Sequence, residues 1–288
     1  MENKKPLVSV IMNCYNSDKY LREAIDSVIA QTYQNWEIIF WDNQSTDSSA
    51  EIVKSYDDKR IHYFYAPNHT PLGEARNLAV KKAAGEWIGI LDCDDIWHEN
   101  KLEVQLESAS DEIGMIYSRV EFLLEDSGRS SVMGKSIKKT YYPKLDELPS
   151  GDVFDKLLYE CFIPLPSVVM RRNLFEKVGG IDSSLKVAED YDIFLKIAKI
   201  SGTLAIDEVL CKYRVHGGNL SHENIDVTFS ESIALVNSYS NYMQVSSHRM
   251  YWKLKYGKNL IRQGRFLKLF LTALTINPIV FLKYLLKK

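Results

Sequence analysis

Trp87-Ile88-Gly89-Ile90-Leu91-Asp92-Cys93-Asp94-Asp95 joins a short apolar run to three carboxylates crowded into four positions. The run has the length and composition of a buried strand. Unpaired, the carboxylates repel one another and cost stability, so a cation is one expected partner. Hard oxygen ligands at this density suit Mg²⁺ or Mn²⁺, which bridge a few carboxylates and a substrate diphosphate. The other reading is a solvated acidic turn with a helix N-cap near Asp95. What surrounds the segment decides how much weight the first reading carries.

Working back toward the N-terminus, Gly85 closes a helical stripe of Leu72, Ala75, Leu78, Ala79 and Ala83, with Pro71 suited to the first turn. Arg60 to Tyr65 reads as a strand, and so does Glu37 to Trp41. Between them, Ser45-Thr46-Asp47 offers N-cap residues ahead of Ile52 and Val53. Leu21, Ala24, Ile25, Val28 and Ile29 share one helical face, and Leu7 to Met12 is a β-favouring apolar run. This β-α-β-α-β-α-β order predicts an α/β fold, a Rossmann-like mostly parallel sheet with helices on both faces. Ligands bind beyond the carboxyl ends of such strands, where Asn13, Asp42 and Asp92 stand.

Beyond residue 110 the pattern is mixed. Ile113 to Leu124 reads as one or two strands and Ser127 to Leu148 as a polar loop or lid. Gly151 to Tyr159 is a short helix, Pro164 to Met170 is extended, and Glu189 to Ile200 is an amphipathic helix. Val209 to Val215 is a strand that leads into His216-Gly217-Gly218-Asn219, and the pattern is helical from Glu223. The expected division is a nucleotide-sugar-binding half over 1–110, an acceptor-binding and catalytic half over 111–222, and a C-terminal helical extension over 223–288.

Four cysteines at unrelated spacings indicate neither a zinc site nor a disulfide framework. Leu7 to Met12 is too short for the apolar region of a signal peptide, which predicts a cytoplasmic protein in a reducing compartment. Net charge is −2 but uneven: residues 251–288 hold nine Lys/Arg and no Asp/Glu. These residues predict basic amphipathic helices. One reading lays them on an anionic membrane surface, peripheral on the inner face of the cytoplasmic membrane. The other packs them on the catalytic domain with a solvated basic face. No stretch of about 20 apolar residues is present to span a bilayer, and no nucleic-acid-binding motif accompanies the charge.

Individual residues carry paired readings. Asp42 can accept a hydrogen bond from a base or ribose, or serve as a turn aspartate. Glu189-Asp190-Tyr191-Asp192 opens a helix, where acids suit the dipole. A general base taking a proton from an acceptor hydroxyl, worth about 10²–10⁴ in rate, is the functional alternative. Arg76 can reach a phosphate or lie on a solvated helix face. His216 can be a metal or phosphate ligand or a surface residue.

Taken together, these segments resemble the family-2 glycosyltransferases, which have the GT-A fold. Val8 to Asn16 is similar to that family's opening strand and turn, and Asp42-Asn43-Gln44-Ser45-Thr46-Asp47 to its DDGSTD segment. Gly73-Glu74-Ala75-Arg76-Asn77, then Ala84-Gly85-Glu86-Trp87-Ile88, then Leu91 to Asp95 resemble its longest signature. Glu189-Asp190-Tyr191-Asp192 and Tyr213-Arg214-Val215-His216 resemble two later motifs. The resemblance implies that Asp42 contacts uracil or another base, that Asn13 and Tyr15 line the nucleotide pocket, and that Arg76 approaches it. It implies that Asp92 holds the ribose and that Asp94 and Asp95 hold Mn²⁺ or Mg²⁺ on the diphosphate, with His216 nearby. It implies Asp190 as catalytic base, Glu189 as the second candidate, and inversion at the anomeric carbon. Two positions depart: Asn13-Cys14 replaces the usual Pro-Thr, and Asn43 the usual second acid.

The expected function is therefore sugar transfer from a nucleotide-sugar, a UDP-sugar first, to a hydroxyl of a glycan or lipid-linked oligosaccharide acceptor in bacterial cell-surface polysaccharide synthesis. A nucleotidyltransferase would carry a glycine-rich loop after its first strand, where Asn13 to Ser17 has no glycine. A non-catalytic carbohydrate- or partner-binding domain would not need Asp94 and Asp190.

Overall fold

The computed structural model of the chain describes residues 5–124, 141–143, 146–216, 225–239, 241, 245–273 and 275. Strand β1 (Val8–Cys14) lies between β2 (Trp36–Asp42) and β4 (Trp87–Ile90), with β3 (Ile61–Tyr65) outside β2, all parallel. Every residue of β2 and β4 is buried. Strands covered on both faces read as continuous apolar runs, which is why β1, β2 and β4 were legible; β3, at the edge, is half-exposed. Helices α1 (Asp18–Ile29), α2 (Ser49–Lys54) and α3 (Leu72–Val80) make the crossovers. Pro71 sits one position ahead of α3, at its N-cap.

The second half of the sheet is mixed. After the two-residue β5 (Ile96–Trp97) and helix α4 (Lys101–Glu107) come β6 (Ile113–Leu124) and β7 (Tyr141–Tyr142), then helix α5 (Phe154–Tyr159). Strand β8 (Val169–Arg171) and helices α6 (Arg172–Lys177) and α7 (Glu189–Ala198) lead to β9 (Gly202–Val215). The strand order is β3-β2-β1-β4-β8-β6-β9-β5, with β7 attached to β6. β8 is antiparallel to β4 and to β6, β9 is parallel to β6, and β5 is antiparallel to β9. Strand direction depends on where each connection returns, which apolar periodicity does not carry.

Several boundaries moved. Ile113 to Leu124 is one strand. Pro164 to Met170 contains a 3₁₀ turn at Leu165–Ser167 before β8. Strand β9 begins seven residues earlier than expected because parallel pairing with β6 supports it from Gly202. Most of the polar stretch 127–148 lies outside the described residues, but Tyr141 and Tyr142 pair with β6. Gly217 to Asn219 also lie outside.

Two apolar clusters flank the sheet. One joins Val8, Val10 and Met12 to α1 and α4. The other joins Ile11 and Ile39 to α3, α5 and α7, and continues into Phe229, Leu235, Val236 and Trp252. These last residues belong to α8 (Ile225–Ser238) and α9 (Val245–Arg262), which precede α10 (Phe266–Ala273). The C-terminal helices therefore share a core with the half of the sheet that carries α7.

Candidate active site

The ends of β1 and β2 make the first wall. Cys14 pairs with Asp42 in register, and Asn43 N–H donates to the Cys14 carbonyl at 2.8 Å. Asp42 is fully buried; its carboxylate accepts from Ser45 N–H at 2.7 Å and from the Tyr63 hydroxyl at 2.6 Å. Tyr15 is 53% exposed, and its ring lies 4.4 Å from His69. The Asn13 side-chain amide is buried with both polar atoms unpartnered, which leaves a donor and an acceptor for a ligand. Asn43 donates to the Thr70 carbonyl at 2.8 Å and accepts from Thr70 N–H at 3.2 Å. A carboxylate could not make the first of these bonds, so this departure has a structural use. Cys14 faces the core, 2% exposed, and does not line the wall.

The acidic turn after β4 divides into three roles. Asp92 accepts from Arg76 Nη2 at 2.8 Å and is otherwise accessible. Asp94 Oδ2 and His216 Nε2 are 2.8 Å apart. Burial and neighbouring Asp92 raise the Asp94 carboxyl above its usual range, with His216 pulling it back. Asp95, expected beside the metal, is instead 1% exposed, and its Oδ1 accepts from Arg214 N–H at 2.9 Å. Burial, then Asp94 and Asp92, push it well up. Its aim toward β9 makes it a brace between the turn and that strand. Arg214 completes the brace, donating from Nε to the Asp94 carbonyl at 2.8 Å and from Nη2 to Glu23 at 2.9 Å. Among the described residues, no group of three or more His, Cys, Asp or Glu side chains is arranged to hold a metal ion.

Across the site, α7 begins with Glu189 and Asp190. Glu189 accepts from Arg76 Nη1 at 2.9 Å. Asp190 is half-buried, and burial and adjacent Glu189 push it up to about 7, with Arg76 pulling it down. Arg76 thus neither lies on a solvated face nor reaches outward. It is 2% exposed, and its two terminal nitrogens join the turn after β4 to the start of α7. Its neighbour Asn77 holds the approach to α7, donating to the Ile181 carbonyl at 2.8 Å and accepting from Ile181 N–H at 3.0 Å.

The fold therefore gathers Asn13, Tyr15 and Asp42 at one wall, Asp92 and Asp94 with His216 at the floor, and Glu189-Asp190 opposite. Sequence reasoning gave no role to Tyr63 or Arg214. Arg214 was findable: in a strand, positions two apart share a face, so Arg214 and His216 reach the acidic turn together. Nothing in the sequence marked Tyr63.

Comparison with known proteins bears on the family and the fold. Residues 9–161 match the family described as Glycosyl transferase family 2. An uncharacterised glycosyltransferase of Rickettsia typhi is 37% identical over 214 residues, 73% of this chain and 64% of its own length. The chain thus spans just under two thirds of that protein, and 33% of a Rickettsia felis relative. The putative teichuronic acid biosynthesis glycosyltransferase TuaG of Bacillus subtilis is 32% identical, over 77% of this chain and 84% of its own. WfgD of Escherichia coli, a UDP-Glc:alpha-D-GlcNAc-diphosphoundecaprenol beta-1,3-glucosyltransferase, is 30% identical, over 87% of this chain and 92% of its own. Among solved structures, S. aureus TarS (residues 1–349) superposes with TM-score 0.65 at 18% identity, over 90% of this chain and 74% of that one. The Pyrobaculum calidifontis mannosyltransferase PcManGT, in complex with GDP-Man and Mn²⁺, also gives 0.65 at 18% identity, over 88% and 72%. The nucleotidyltransferase reading falls away: this chain belongs to glycosyl transferase family 2 and has the GT-A fold.

Proposed function

We propose that the chain moves a sugar from a UDP-sugar to a hydroxyl of a lipid-linked glycan, with inversion and with a divalent cation, Mn²⁺ or Mg²⁺. The observation that carries this reading is Asp190: a carboxyl pushed up to about 7, adjacent to the Glu189 that Arg76 ties to Asp92. A base with a pKa near the working pH is best placed to take a proton in the transition state. Asp190 accepts the acceptor hydroxyl's proton as that oxygen bonds to the anomeric carbon from the face opposite the leaving diphosphate. Glu189, fixed on Arg76, shapes the field at Asp190 and is not itself free to move. On the donor side, Asn13 binds the base, Tyr15 covers it and Asp92 takes the ribose, while Asp42, fully buried with its oxygens on Ser45 and Tyr63, braces the wall behind the base rather than touching it.

The donor set fits a cation. Asp94 and His216 converge at 2.8 Å, and a positive charge beside Asp94 would relieve its crowding with Asp92. Two protein ligands suit an ion that takes its other positions from diphosphate oxygens and water. Bound there, it would act as a Lewis acid on the departing diphosphate. The choice of uridine and of a lipid-linked acceptor rests on the E. coli relative, whose name gives both.

Asp190→Asn tests the base. Transfer, read as UDP release with acceptor, is expected to fall about 10²-fold or more, while calorimetric donor affinity stays within twofold. Near-normal turnover would sink the assignment. Asp94→Ala tests the cation: Mn²⁺ should tighten donor binding to the native protein and no longer do so in the variant. Equal affinities with and without Mn²⁺ in the native protein would remove the metal.

A further inference from the structure

We infer that Glu231, on the C-terminal helix α8, is a positioning residue for the catalytic turn. Its two carboxylate oxygens accept from three successive backbone amides: Lys186 N–H at 2.9 Å, and Val187 and Ala188 N–H at 3.0 Å each. Those amides immediately precede Glu189 and Asp190 at the start of α7. The first N–H groups of a helix and of the chain entering it lack intrahelical partners and need acceptors. No side-chain cap bond comes from Ala188 at the N-cap, and Glu231 supplies the acceptors from 43 residues away. A carboxylate on several amides makes the stronger, charge-assisted kind of bond.

The clamp has a second attachment. Tyr191, next to Asp190, packs its ring 5.6 Å from Trp252 of α9 and donates to the Leu157 carbonyl at 2.7 Å. Thus α8 and α9 hold the turn before the base and the residue after it, and the C-terminal extension sets where Asp190 points. A misplacement of about 1 Å at a reacting group costs about 10²-fold, so a clamp on the peptide two residues from Asp190 acts on rate rather than on donor binding.

This inference rests on Asp190 as base, and a mutant cycle separates the two. Glu231→Ala in the full chain should lower kcat about 10- to 100-fold while donor KM hardly moves and the protein, though melting somewhat lower for the lost bonds, stays fully folded at the assay temperature. Glu231→Gln, which keeps one acceptor, should fall between. In an Asp190→Asn background Glu231→Ala should add nothing, because two residues that act as a unit are not additive. A Glu231→Ala enzyme with native kcat would overturn the positioning role. So would a loss of kcat and donor binding in step with loss of folded protein, which marks a merely structural contact. If Asp190→Asn alone keeps native turnover, the base assignment has failed, whatever Glu231 does.

Discussion

Asp190 and Asp94 are both raised carboxyls, yet their surroundings differ. Burial and Glu189 hold Asp190 up, and its nearest compensating charge is the guanidinium of Arg76. As a base it works only when deprotonated, so kcat/KM should climb with pH through about 7 and then level off. A profile that is flat from about pH 5.5 to about pH 8.5 would contradict this. The same shift has a stability consequence of opposite sense. A carboxyl whose folded pKa is raised contributes stability that is complete below its unfolded value of about 3.9 and is lost as pH rises through about 7. Asp190→Asn should therefore melt higher than the native protein at about pH 8.5 and show little gain at about pH 5. Arg76 is the converse case. Burial alone would lower its pKa, and Asp92 and Glu189 more than offset that. Arg76→Leu leaves Glu189 buried without its partner and should cost about 3–5 kcal/mol in urea unfolding. Arg76→Lys should recover only part of this, since one ammonium cannot span both acids with a fork. The acids at 42, 92, 94, 189 and 190 were legible as candidates from order alone. That Arg76 belongs between two of them was not, because its partners are 16 and 113 residues away.

At the level of elements, the motif residues turn out to be largely architectural. Gly85 N–H donates to Ser9 Oγ at 2.8 Å, and Ser9 Oγ donates to Glu37 at 2.5 Å. Glu37 also accepts from Ala84 N–H at 2.7 Å, so the turn into β4 is tied across β1 to β2. A Cβ on Gly85 would lie 2.6 Å from the Ser9 backbone nitrogen. Gly85→Ala must therefore push β4 away from β1, and should cost about 1–3 kcal/mol, measured by denaturant midpoint at unchanged m-value. A neutral result would mean that the two strands separate more easily than their burial implies. Helix α7 shows the same economy: its amphipathic face was readable from Ile193, Phe194 and Ile197, while its starting geometry depends on Asn77 and Arg76 of α3 and on Glu231 of α8.

Across the whole molecule, the C-terminal extension serves the core and also presents a surface. Part of its positive charge is engaged internally, since Lys255 meets Glu160 at 2.6 Å and both Arg265 and Lys268 meet Asp226 at 2.6 Å. Its packing face carries Trp252 into the shared core. Phe266 and Phe270 on α10, four residues apart on one helix face, are 65% and 61% exposed, and Leu271 beside Phe270 is 55% exposed. Among the described residues no helix is long and apolar enough to cross a membrane. An interfacial helix is one way for such a face to meet the proposed lipid-linked acceptor. Phe266→Asp with Phe270→Asp should reduce co-flotation with anionic vesicles several-fold, and the native protein's flotation should weaken as salt screens the basic residues. Equal flotation of variant and native protein would remove the bilayer from the account.

The sequence by itself determined the alternation of strands and helices, the parallel half of the sheet, and the acids poised at its carboxyl edge. It did so because burial on both faces and helical periodicity are local patterns, written over a few residues at a time. Only the tertiary structure decided that Asp95 braces β9 rather than joining the Asp94–His216 pair, that Arg76 links two acids, and that Glu231 holds the turn before Asp190. These contacts join residues up to 122 positions apart. They depend on strand order and on where each connection returns, and no local pattern encodes either.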